Sequence, residues 1–223
     1  KILIRVNDCD ITREIKDISR SREHSIMSNY NNIDFLIFNS NFIKSYYSDK
    51  IIKQNIKFNE NYKTITNGCD QTLFLNNDKQ LDMNKKIKIV THHWSNNMNK
   101  GYETYSKLYE YCKNSDTFEF IFIGKNIPDM FNHVPIIGPY FGKELSINLN
   151  DCHIYITDSK FDSCPNHVLE AICCGLPILY SNVDGGAKEL CTMSSLDIGE
   201  IYNSFDELIE KMNKIINNYD YYR

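Results

Sequence analysis

From residue 84 onward, short apolar runs alternate with stretches of helical spacing. "KIKIVTH" (86–92), "FEFIFIG" (118–124), "VPIIG" (134–138), "HIYIT" (153–157) and "PILYS" (177–181) read as strands. The segments near 101–113, 142–150, 166–174 and 186–191 read as helices between them. Such alternation predicts an α/β fold with a doubly wound parallel sheet. "KNIPDMFNH" is too short to predict a helix. The earlier part repeats the theme with "KILIRVN", a polar helix over 22–30, "FLIFNS", a helix over 41–50 and "YKTITNG". "LNNDKQLDMNKK" (75–86) is polar enough to predict a linker. In the tail, Leu208, Ile209, Met212, Ile215 and Ile216 have helical spacing before "YDYYR". The expected packing of that tail helix is back toward the first part of the chain.

One stretch combines structural signals with unusual polarity: "DSCPNHVLEAICCGLPILYSN" (162–182). Gly175 can take the left-handed conformation that stops a helix, and Pro177 prevents its continuation. With "HIYITDS" upstream, the stretch reads as strand, loop, helix, tight turn and strand, a crossover that makes two parallel neighbours.

Parallel sheets gather their strand carboxyl ends on one edge, and ligands bind in the crevice there. The predicted edge collects His92, His93, Trp94, Ser95 and Lys100, then Lys125, Pro139 and Tyr140, then Asp162, Asn166, His167, Gly185 and Gly186. The helices opened by "CPNH" and "GGAKE" both start at this edge, and helix amino termini attract anions. Gly185 and Gly186 would let a phosphate approach their N–H groups; a plain turn is the other reading. Lys100 can meet a phosphate as a point charge or sit solvated at the surface.

Glu170 lies opposite Val168, Leu169 and Ile172 on a helical wheel. It is either solvated or turned toward a ligand lying across the helix start, with Asp162 reaching the same ligand from the loop. Paired carboxylates bind vicinal hydroxyls, since each oxygen accepts strongly from an O–H. The pair points to a sugar or ribose.

Composition narrows the field. The chain has 223 residues, 42% hydrophobic and 24% charged, with a net charge of −4. It can bury a good core, and it lacks the basic excess of a nucleic-acid binder. No apolar run approaches the roughly 20 residues that span a bilayer. Eight cysteines without C-x-x-C spacing are expected to be packing residues in a reducing, cytoplasmic setting. His92, His93 and His167 fit no usual zinc spacing. "DCD" at 8–10 resembles a manganese-holding D-x-D, but too few residues precede it for the strands that should come first. No metal ligand is therefore predicted. The opening on Lys1, inside a run that looks like an internal strand, predicts that the chain continues upstream.

Several ordered motifs resemble the GT-B glycosyltransferases of family 4, the group 1 glycosyl transferases. "TITNGCDQTLF" (64–74) is similar to the entry to their second domain, "KG" (100–101) to their phosphate-lysine segment, and 138–190 to their longest signature. "RVNDCD" resembles a strand end of the first domain in some members. The resemblance implies a partial acceptor-side domain over 1–80, a nucleotide-sugar domain over 84–204 and a tail over 205–223. It implies retaining transfer from a nucleotide diphosphate sugar, with no cofactor, no required metal and an unidentified glycan, lipid or protein acceptor. Carried over by position, Lys100 neutralises the diphosphate, N–H groups near Asn166 and Gly186 hold its oxygens, Asp162 contacts the sugar and Glu170 the ribose. Lys125 and 138–140 lie where the base is chosen. Glu189 matches the glutamate of the glycine loop.

Three departures stand out. "HHWS" occupies the place of an arginine that accompanies the lysine, so His92 or His93 is expected as a substitute cation. Asp162 replaces a longer Glu. Residues 1–80 supply only the end of a first domain. A non-catalytic nucleotide-sugar-binding protein and a nucleotide-sugar epimerase remain as alternatives.

Overall fold

The apolar runs become strands in the computed structural model, which describes residues 1–193 and 197–222. In chain order the first part holds β1 (Leu3–Val6), α1 (Asp10–Arg13), α2 (Arg22–Ser28), β2 (Phe35–Phe38), α3 (Asn41–Lys53) and β3 (Tyr62–Thr64). There follow β4 (Ile87–His93), α4 (Tyr102–Lys113), β5 (Phe118–Gly124), β6 (Ile136–Ile137), α5 (Gly142–Asn150) and β7 (Ile154–Thr157). The chain then runs through α6 (Asn166–Cys173), β8 (Ile178–Ser181), α7 (Gly186–Thr192), β9 (Gly199–Tyr202), α8 (Phe205–Asn217) and α9 (Tyr219–Tyr222). Arg223, which ends the predicted tail, and 194–196 lie outside the described residues.

The strands form two sheets, β1-β2-β3 and β6-β5-β4-β7-β8-β9, and every pairing is parallel. A central parallel strand must be apolar on both faces, because helices cover both. β4 shows this: its last five residues, Ile89 to His93, are all buried. Polarity at its carboxyl end is therefore enclosed rather than solvated.

Two elements depart from the expectations. The short strand β9 went unpredicted. Its Gly199 permits close approach to β8, since a Cβ there would lie 1.9 Å from the Ile178 carbonyl oxygen. The tail helix α8 packs on the six-stranded sheet, not toward the first part of the chain. Leu208, Met212 and Ile215 are fully buried in a cluster with Ile87, Tyr105, Phe120 and Tyr202. Each such side chain is worth about 1.5–3 kcal/mol when buried, enough to fix the helix there. "KNIPDMFNH" yields one 3-10 turn at Asp129–Phe131.

The smaller sheet has its own core, with Val6, Leu36, Phe38, Ile43, Tyr47 and Ile51 nearly inaccessible. Polar contacts join the two sheets at their carboxyl edges. Thr12 Oγ1 donates to the Phe161 carbonyl at 2.6 Å, and Asn97 Nδ2 donates to the Thr12 carbonyl at 2.9 Å. Asn39 Nδ2 donates to Ser163 Oγ at 3.1 Å, and Ser163 Oγ donates to the Asn7 carbonyl.

Candidate functional site

The facing carboxyl edges line an open cavity of about 730 Å3. Ser95, Lys100, Asp162 and Ser163 line it from the larger sheet, and Arg5, Arg13, Arg20, Asn39 and Asn67 from the smaller sheet and its connections. Lys100 ends a 3-10 turn (Met98–Lys100) and Gly101 follows at φ +91°. A Cβ on Gly101 would lie 2.5 Å from Asp158 Cβ, so glycine is what lets this turn seat against the end of β7. Lys100 Nζ then stands 2.5 Å from Asp162 Oδ2. Ser95, next to that turn, accepts the Asn97 N–H at 3.2 Å.

Glu170 is half-buried. Its carboxylate lies 2.8 Å from His92 Nε2, and its side chain is 25% exposed. His92 is buried, and its Nδ1 meets the Tyr155 hydroxyl at 3.2 Å. The same hydroxyl meets His167 Nδ1 at 3.0 Å, and His167 Nε2 lies 3.4 Å from Ser159 Oγ and 3.9 Å from Asp162 Oδ2. A buried polar chain thus runs from one carboxylate almost to the other.

The expectation that His93 serves as a cation does not fit its surroundings. It is 2% exposed, its Nε2 lies 3.0 Å from the Tyr105 hydroxyl, and its ring packs edge-on against His167 at 4.6 Å. Burial pushes its imidazole well below the usual histidine range, with Lys100 and His92 adding repulsion. Burial lowers His167 in the same way, with His93, Lys100 and His92 opposing its protonation.

Beside His92, outside the lining of the cavity, lies an aromatic group. Trp94 lies 5.7 Å from the His92 ring and 5.2 Å from Phe141, and Lys125 Nζ stands 5.3 Å from the Phe141 centroid. Pro139 is exposed, while Tyr140 packs partly against the core between α5 and α6. Phe141 was not singled out in the sequence.

The glycine loop is tighter than expected. The Gly186 N–H donates to the Asp162 carbonyl at 2.5 Å, and a Cβ on Gly186 would lie 2.0 Å from the Ser163 carbonyl oxygen. Gly185 is buried against the same loop. Here the two glycines bring α7 against 161–164, and the Gly186 N–H is already engaged. Glu189 is engaged elsewhere: its carboxylate accepts from the Asn41 and Phe42 N–H groups at the start of α3. Asn166, at the start of α6, accepts from Asn67 Nδ2 at 2.8 Å.

Sequence reasoning missed the contribution of the smaller sheet. Arg5 lies within β1 and Asn39 and Asn67 follow β2 and β3, all remote in sequence from 162–170, and no local motif links them. The buried Asn39 Oδ1 has no hydrogen-bond partner. Both aspartates of "DCD" are used locally: Asp8 pairs with Arg13 Nε at 2.5 Å, and Asp10 accepts from Ser21 Oγ. Among the described residues no three His, Cys, Asp or Glu side chains group as a metal site, and no helix is long and apolar enough to cross a membrane.

No curated protein matches the sequence. Among solved structures, sucrose-phosphate synthase from Thermosynechococcus elongatus superposes with a TM-score of 0.70 at 16% identity, covering 99% of this chain and 60% of that one. Anabaena HepE in complex with UDP-glucose gives 0.70 at 17% identity, covering 98% and 63%. A variant of S. aureus TarM, solved with UDP among its ligands, gives 0.65 at 14% identity, covering 97% and 43%. The chain therefore spans less than two thirds of the length of each. The parallel, Rossmann-like α/β architecture is that of GT-B glycosyltransferases. Residues 75–223 match the model of the family described as glycosyl transferases group 1. That match covers more than half of the chain, which belongs to the glycosyl transferases group 1 family.

Proposed function

We propose that the chain acts in retaining transfer of a sugar from a nucleotide diphosphate sugar to a hydroxyl-bearing acceptor, in a cytoplasmic setting. The observation that supports the reading is the pair of carboxylates from one loop-helix segment, each with a basic partner, Asp162 lining the cavity and Glu170 lying outside its lining on the same segment. Asp162 is 2.5 Å from Lys100, and Glu170 is 2.8 Å from His92. In this reading the diphosphate lies between Lys100 and the first turn of α6, where Asn166 and His167 present backbone N–H groups and partial positive charge. Asp162 accepts from hydroxyls of the transferred sugar. Glu170, oriented by His92, accepts from the ribose, and Trp94, Phe141 and Lys125 border the base with 138–140.

Charge builds on the diphosphate as the glycosidic bond breaks. Cations and dipoles fixed in place stabilise that charge without reorganising, the largest contribution in many enzymes. The reading requires no metal, so transfer is expected to persist in EDTA. UDP in the HepE and TarM structures makes uridine donors the first to try. A thermal-shift screen over UDP-, GDP-, ADP- and CDP-sugars tests the reading. A true donor at one hundred times its Kd stabilises the fold by about 2.7 kcal/mol. No shift with any of them overturns it.

A further inference from the structure

We propose that Arg5, on the wall of the cavity belonging to the smaller sheet, supplies a second cation to the diphosphate. The proposal rests on the nucleotide-sugar reading of the cavity and adds to it that the smaller sheet takes part in holding the donor.

The charge balance motivates it. A nucleotide diphosphate sugar bears a negative charge on each phosphate. Lys100, the cation of the opposite wall, is already answered by Asp162 at 2.5 Å. Arg13, on the same wall as Arg5, is answered by Asp8 at 2.5 Å. Arg5 differs. Its Nε donates to Asn7 Oδ1 at 2.9 Å, and its Nη2 donates to Asn67 Oδ1 at 2.9 Å and to the Ile65 carbonyl at 3.4 Å. All three acceptors are neutral, and among the described residues the guanidinium forms no ion pair, although Asp8, Glu14 and Asp162 line the same cavity. Of the five N–H donors on a guanidinium, these contacts leave both on Nη1.

Placement supports the same ligand. The amide that holds Arg5 also reaches the start of α6, because Asn67 Nδ2 donates to Asn166 Oδ1 at 2.8 Å and to the Cys164 carbonyl at 3.0 Å. One side-chain amide therefore separates the guanidinium from the turn whose N–H groups attract anions. The two N–H groups left on Nη1 can each donate to a phosphate oxygen, from a side chain that stays charged at any working pH.

Titration calorimetry with inorganic pyrophosphate and with UDP, GDP, ADP and CDP tests the assignment. Arg5→Gln keeps much of the side chain's reach and removes the charge, and it is expected to weaken pyrophosphate and the best-binding nucleotide by about tenfold or more. Arg5→Lys should lose less than Arg5→Gln, and Arg20→Ala, which removes a cavity arginine without the Asn67 tether, should lose little. Asn67→Ala leaves the charge but frees it from α6, so it should give an intermediate loss if Arg5→Gln fails to fold. If Lys100→Ala weakens binding while Arg5→Gln and Asn67→Ala do not, Arg5 only stitches β1 to the 62–68 segment; the proposal falls and the nucleotide-sugar reading stands. An equal loss in Arg20→Ala and Arg5→Gln also overturns it, because general positive potential then suffices. If the parent binds none of the probes, the reading beneath it fails as well.

Discussion

Glu189 on α7 closes the first turn of α3: one carboxylate oxygen accepts the Asn41 N–H at 2.8 Å and the other the Phe42 N–H at 2.9 Å. Asn41 adds its own Nδ2 at 2.9 Å. A residue of the larger sheet thus caps a helix of the smaller one. Glu189→Ala is expected to destabilise the fold by about 1–3 kcal/mol, since three donors lose a charged acceptor. Urea unfolding measures it. Unchanged stability with weakened nucleotide binding would instead assign Glu189 to the ligand.

Asp162 and Glu170 are expected to fail differently. Glu170→Gln removes the charged acceptor beside His92, so nucleotide and nucleotide sugar should both bind more weakly, by roughly 1.5–3 kcal/mol. Asp162→Asn releases Lys100 from its carboxylate, so nucleoside diphosphate binding should hold or tighten while the transfer rate drops. Calorimetry on both variants, with initial rates for Asp162→Asn, decides. Equal weakening of free nucleotide by the two changes would refute this division.

Stability should fall in mild acid. His93 and His167 are held neutral in the folded chain, whereas the unfolded chain protonates its histidines near ~6.5. The unfolded state therefore binds more protons below that pH. Stability is complete above it and is lost as pH falls toward the depressed folded values, by up to about 1.4 kcal/mol per pH unit for each ring. Urea midpoints between about pH 7.5 and 5 should show the slope, and His93→Gln should reduce it. A flat parent profile rejects the argument.

Gly186→Ala should be strongly destabilising or displace α7. The added methyl would lie 2.0 Å from the Ser163 carbonyl oxygen and 2.5 Å from its carbon, and both are backbone atoms. Neither can rotate away as a side chain would. Loss of about 2 kcal/mol or more is expected, against little change for an alanine at Gly68, where nothing lies within 4 Å. Comparable stability of the two variants would refute the close-approach account.

The larger sheet was legible because its strands are long apolar runs with helices between them. β9 was not, since "GEIY" is short and half-exposed and is held by pairing with β8, a contact no local pattern announces. At the site, Lys100 and Asp162 were expected on one edge and both line the cavity, whereas Glu170 pairs with His92 outside that lining. Nothing in the sequence signals that His93 points inward, because every residue near the end of β4 is buried and alternation carries no information there. The arginines stayed hidden for another reason. Arg5, Arg13 and Arg20 become neighbours of Lys100 only when the two sheets meet, so their role depends on tertiary placement.

The Tyr155 hydroxyl between His92 and His167 has one hydrogen and two lone pairs. The backbone N–H of His92 also donates to it at 3.2 Å, and the Thr91 hydroxyl is a further partner. With its hydrogen on His92 Nδ1, the phenol leaves His92 Nε2–H for Glu170 and can receive Nδ1–H from His167, whose Nε2 is then a bare acceptor beside Ser159. With that hydrogen turned to His167 Nδ1, His167 Nε2 carries the proton and becomes a donor toward Asp162. The tautomers of two histidines that never share a hydrogen bond are therefore coupled through one hydroxyl that both contact.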